Sequence, residues 1–116
     1  MNKRLLNFLS LAAYMQTAGA LKQNNLPAAD FFGKIYILVD PTNNEAHYLS
    51  ASVYAKEGKT KEAIKSLNGA VKNGFTDVAR LQSDSAFMEI NKTKEYWDLI
   101  RKIGASYITI NPTEKK

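Results

Sequence analysis

From Leu26 onward, apolar residues return every three or four positions, and short groups of turn-forming residues punctuate the runs. That spacing is the period of a helix face and not of a strand, so it confines the chain to helices packed on helices. Leu26-Pro27-Ala28-Ala29 opens one helix, with proline in the first turn, where its missing N–H has no intrahelical partner. Phe31, Phe32, Ile35, Leu38 and Val39 are its expected apolar face, and Asp40-Pro41-Thr42-Asn43 ends it. A second helix is expected over residues 44–57, with Gly58 as a left-handed cap. Thr60 is positioned to cap a third over residues 61–72, whose Ala63, Ile64, Leu67, Ala70 and Val71 keep the period until Asn73-Gly74. Beyond Phe75, Thr76 or Asp77 caps a short helix ending near Leu81, and Ser83 caps another that buries Phe87, Met88 and Ile90. Thr93 caps a last helix with Tyr96, Trp97, Leu99, Ile100 and Ile103 as its apolar set, and Gly104 is expected to end it. Residues 105–116 read as an extended tail, and no segment offers a convincing set of strands.

At 116 residues the chain fits one domain or one compact repeat array. It carries no cysteine, which excludes disulfides, thiolate catalysis and Cys-ligated zinc. The net charge of +5 includes Lys61, Lys65 and Lys72 on one side of a helix. Without interleaved aromatic residues these lysines read as a solvated face, and no nucleic-acid partner is expected.

Residues 1–20 admit two readings. A basic start, an eleven-residue apolar stretch and Ala18-Gly19-Ala20 fit a signal peptide cleaved after Ala20. Leu5, Leu9, Ala12, Met15 and Gln16, with Phe8 and Leu11 nearby, also fit an amphipathic helix ending at Gln23-Asn24-Asn25, and this is the preferred reading. The stretch is too short and too interrupted to span a membrane. The compartment stays open between cytoplasm and periplasm.

From His47 to Phe75 the residues follow a spaced pattern: His47, Ser50, Ala51 and Tyr54 on one helix, Ala63, Leu67 and Ala70 on the next, and Gly58 in the turn. Small Ala51 and Ala63 let two helix backbones approach, and Tyr54 and Leu67 fill the space beside them. The offset that carries Ala29 onto Ala63 also carries Pro41 onto Phe75. This arrangement resembles the tetratricopeptide repeat, a helical hairpin that recurs with a period of about 34 residues. Gly74-Phe75, Asp77, Leu81, Asp84 and Phe87, then Trp97 and Ile100, resemble the segment that closes such arrays in many bacterial proteins. The resemblance implies an all-α fold: an α-solenoid of about two hairpins plus C-terminal capping helices, wound as a right-handed superhelix. Residues 1–104 are expected to form a single domain, with repeat 1 at 5–41, repeat 2 at 42–75 and the cap at 76–104.

Catalytic motifs are sparse. Gly58-Lys59-Thr60 ends like a phosphate-binding loop, but Val53 stands where its first glycine belongs. His47 is the only histidine, too few for a His-built zinc site, and no nucleophile elbow accompanies it. Asp77, Asp84, Glu89, Glu95 and Asp98 form no distinguishable acid–base pair. No cofactor, metal or enzymatic activity is expected. Trp97 reads as core, so Trp97→Ala is expected to cost about 3–5 kcal/mol.

The resemblance implies non-catalytic binding of a peptide or protein segment in a concave groove. The groove residues it implies are Tyr14, Ala18 and Leu21 on one helix and Tyr48, Ser52 and Lys56 on another, with Tyr48 as an anchor removable without unfolding. Tyr48 and Ser52 replace the Lys/Asn pattern that clamps a terminal carboxylate. A monomer is expected. The competing reading is a structural or regulatory appendage of a larger bacterial hydrolase or redox protein, its groove filled by residues 105–116.

Overall fold

The structure is a computed structural model that describes the backbone of residues 3–110 and the side chains of residues 3–104. It is all-α. The helices are α1 (Lys3–Lys22), α2 (Leu26–Val39), α3 (Asn44–Lys56), α4 (Thr60–Lys72), α5 (Val78–Ser83) and α6 (Lys94–Ile110). Single 3-10 turns at Ser85–Phe87 and Ile90–Lys92 link α5 to α6, and there is no strand among the described residues. Helix α1 packs on α2, α3 on α4, and α3 also on α2. One shared offset carries the end of α1 onto the end of α3 and the start of α2 onto the start of α4.

Local chemistry sets the helix ends. Asn24 takes φ 57° after α1, one of the few conformations in which asparagine substitutes for glycine. Asn25 Oδ1 then accepts from Ala28 N at 3.2 Å and caps α2. Asn43 Oδ1 caps α3 through Glu45 N at 2.9 Å. Gly58 takes φ 78° and Gly74 φ 102°, the left-handed conformation expected of the residue after a helix. Asp77 caps α5 through Arg80 N, and Thr93 Oγ1 accepts from Tyr96 N in the first turn of α6. Two expected caps differ. The cap position before α4 is Lys59, with no side-chain bond, and Thr60 is the first helical residue. Ser83 ends α5, and Asp84, accepting from Ala86 N, caps the turn that follows.

The core gathers α3, α4 and the cap around Tyr48, Leu67, Phe75, Leu81, Phe87, Tyr96, Leu99 and Ile103, all buried. Ala51 and Ala63 are wholly inaccessible, which fits close backbone approach. The first hairpin departs from the expected pattern. Its inward residues are small: Ala13, Thr17 and Ala20 on α1, and Ala29 and Gly33 beside Tyr36 on α2. Phe31 and Leu38, expected inside, are 60% and 81% exposed, and Met15 and Phe8 of the expected α1 face are 61% and 64% exposed. Both helices are apolar nearly all round, so spacing alone does not choose the buried side. Contact with two neighbouring helices selects small residues instead.

Three corrections concern the cap. Met88 is exposed, because only Phe87 and Ile90 of its neighbourhood turn inward. Trp97 is 44% exposed. It lies one residue, about 100° of helix, off the Tyr96–Leu99–Ile103 face. Its Nε1 donates to Asn91 O at 2.7 Å, and its ring stands edge-on to Tyr96. Gly104 does not end α6, which continues to Ile110. Glycine inside a helix costs about 1 kcal/mol relative to alanine but blocks nothing, and the next proline is Pro112. Residues 105–110 are therefore helical and not an extended tail, while 111–116 lie outside the described residues.

Candidate functional site

Tyr14, Ala18 and Lys22 on α1 recur at every fourth position and share a side of the helix, with Leu21 beside them. Tyr48, Ser52 and Lys56 repeat that spacing on α3, each displaced by the same offset that relates the two hairpins. Packing the two hairpins side by side aligns these faces along one open cleft of about 280 Å³. All six groove residues expected from the sequence line it, together with Lys22, Glu45, Leu49, Arg80, Asp84 and Ala86.

The six are not equivalent. Tyr14 is 37% exposed, its ring edge-on to Tyr36 with centroids 6.2 Å apart. Ala18 and Leu21 are half-buried, and Lys56 is exposed. Tyr48 is wholly inaccessible and Ser52 nearly so, which corrects the expectation of a removable Tyr48 anchor. Phe75 stacks on the Tyr48 ring with centroids 4.8 Å apart, Phe87 meets it edge-on, and the Arg80 guanidinium lies 4.1 Å from its centroid. Ser52 Oγ donates back to Tyr48 O at 3.2 Å. These two residues form the floor of the cleft.

The charged wall is assembled by the cap. Arg80 on α5 donates from Nη1 and Nη2 to Glu45 Oε1 and Oε2 at 2.6 and 2.7 Å, a bidentate pair joining α5 to α3. Glu45 raises the Arg80 pKa, so this cation is fixed. Tyr48 Oη donates to Asp84 Oδ2 at 2.7 Å. Burial first, and then Asp84, push the Tyr48 hydroxyl well above its ordinary range, so it is a hydrogen-bond donor and not a base. Both carboxylates of the wall are thus engaged. Lys22 and Lys56, the last residues of α1 and α3, stand at one end of the cleft without an ion pair among the described residues.

Lys22, Glu45, Arg80 and Asp84 join the cleft without having been expected there from the sequence. Lys22 was recoverable, because it precedes Lys56 by the same offset as Tyr14 precedes Tyr48. The Arg80–Glu45 pair is distant in sequence and depends on how α5 docks, which no local spacing encodes.

His47 lies away from this cleft. Its Nε2 is 2.7 Å from Pro41 O, and it lines a separate hollow of about 430 Å³ with Ile37, Leu38 and Tyr54. Among the described residues no group of three or more His, Asp or Glu is arranged to hold a metal ion. No described helix is long and apolar enough to cross a membrane. Compared with family models, curated proteins and solved structures, the chain finds no match.

Proposed function

We propose that the chain is a tetratricopeptide-like interaction module that binds a peptide segment, without catalysis, in the cleft between α1 and α3. In this reading the hairpins form a short right-handed solenoid, and α5 and α6 cap it. The observation that carries the proposal is the recurrence of one cleft-facing set, Tyr14-Ala18-Lys22 and Tyr48-Ser52-Lys56, at a single offset on adjacent helices. Two equivalent faces side by side give an elongated surface, which suits an extended segment better than a compact metabolite. The apolar part, Tyr14 and Leu21 over the Tyr48 floor, supplies contact area. Lys22 and Lys56 supply two cations at one end that form no ion pair among the described residues. The bound segment therefore combines apolar side chains with an acidic group. The two carboxylates are committed to Arg80 and Tyr48, which supports binding over acid–base chemistry.

Selection from a random peptide library tests this reading. Acid-containing peptides are expected to bind the wild-type chain, and Lys22→Glu with Lys56→Glu to abolish capture while leaving the melting temperature unchanged. Selected peptides that bind the double variant equally well would refute the cleft as the site.

A further inference from the structure

We infer, resting on the reading of the α1–α3 cleft as a peptide site, that this cleft selects an extended segment whose acidic residue stands three or four positions from an apolar anchor. Tyr14 and Tyr48 line one end of the cleft. Lys22 and Lys56, eight residues further along each helix, line the other. Eight helical residues rise about 12 Å. An extended chain covers that distance in three to four residues, at about 3.3 Å each. A helical segment needs eight.

Between tyrosine and lysine the cleft carries small residues, Ala18 and Ser52. Ala18 has no polar group to offer, and the Ser52 hydroxyl already donates to Tyr48 O at 3.2 Å. Residues of the segment that cross this stretch find room and no free donor on either side chain, so their identity is not read. At the tyrosine end the charges are spent. Glu45 holds Arg80, and Asp84 accepts from Tyr48 Oη with one oxygen and from Ala86 N with the other. What remains there is the ring of Tyr14, 37% exposed, which takes the apolar anchor. Lys22 and Lys56 form no ion pair among the described residues, so the charge that the cleft reads lies at their end.

Titration calorimetry of the full chain tests this with peptides capped at both ends, so that no terminal carboxylate contributes. A peptide selected by the wild-type chain is resynthesised with its acidic residue moved one position at a time from its apolar anchor. Affinity is expected to peak at a separation of three or four and to fall about fivefold, the scale of two exposed ion pairs, at a separation of one or eight. Proline between anchor and acid is expected to preserve binding, because it holds the chain extended. Lys22→Ala with Lys56→Ala is expected to erase the dependence on separation at an unchanged melting temperature. A peak at eight, loss of binding on proline, or wild-type affinity independent of separation overturns the inference and leaves the cleft standing as a peptide site. Peptides indifferent to Lys22→Glu with Lys56→Glu refute the cleft itself.

Discussion

The two hairpins share a backbone plan and differ in what covers them. Helices α2 and α4 begin at equivalent points of the two hairpins, yet Phe31 and Leu38 on α2 stand where α4 has Lys65 and Lys72. Tyr14 and Tyr48 hold equivalent places, but one is 37% exposed and the other inaccessible. The second hairpin is enclosed by the first on one side and by the cap on the other. It therefore shows solvent a polar outer face and keeps its large residues inside. Among the described residues, the first hairpin packs against the second and against no other helix pair. The period thus sets where helices start and stop, while the helices packed against each face set which residues are buried.

The contrast is sharpest at the tyrosines. Tyr48→Ala is expected to cost about 3–5 kcal/mol, because it empties a cavity among Phe75, Phe87 and Arg80. Tyr14→Ala is expected to cost about 1 kcal/mol, because its ring is partly in water. Equal losses in urea unfolding would erase the distinction between the hairpins. The same pairing applies within the cap: Tyr96→Ala is expected to cost about 3–5 kcal/mol and Trp97→Ala about 1 kcal/mol.

A smaller effect separates the glycines. Gly33 sits inside α2, and an added Cβ there finds only ordinary contacts at 3.7 Å. Gly33→Ala is expected to raise stability by roughly 0.5–1 kcal/mol through helix propensity. Gly58→Ala, at φ 78°, is expected to lower stability by about 1 kcal/mol. Thermal melts of the two variants should move in opposite directions.

Alkaline pH probes the buried rings together. Burial raises the hydroxyl pKa of Tyr36, Tyr48 and Tyr96 in the fold. The native state therefore holds these protons more tightly than the unfolded chain does. Their contribution is constant below the unfolded tyrosine pKa of about 10 and is lost as pH rises above it. The urea midpoint is expected to fall above that pH, and Tyr48→Phe to fall less steeply. A midpoint independent of alkaline pH would contradict the burial of these hydroxyls.

Much of the fold was legible because helix ends are written in local chemistry: Gly58, Gly74 and Asp77 each act within a few residues, and Asn25 and Asn43, read only as parts of the turns that end α1 and α2, also cap the helices that follow. Burial in the first hairpin was not legible. Leu5, Leu9, Ala12 and Met15 match a helical period as well as Ala13, Thr17 and Ala20 do, and only the neighbouring helices decide between them. At the cap, a single-residue phase difference separates buried Tyr96 from exposed Trp97. The cleft was half legible. Its two faces follow from the offset between the hairpins, but its Arg80–Glu45 wall and the sealing of Tyr48 arise from the docking of α5 and the turn after it.

The central claim, a peptide cleft on the shared face of α1 and α3, is tested most directly by amide chemical-shift mapping with a library-selected acidic peptide. The account predicts shifts concentrated at Tyr14, Ala18, Leu21, Lys22, Ser52 and Lys56. Shifts concentrated instead around Ile37, Leu38, His47 and Ser66 would place binding on the opposite side of α3 and contradict it.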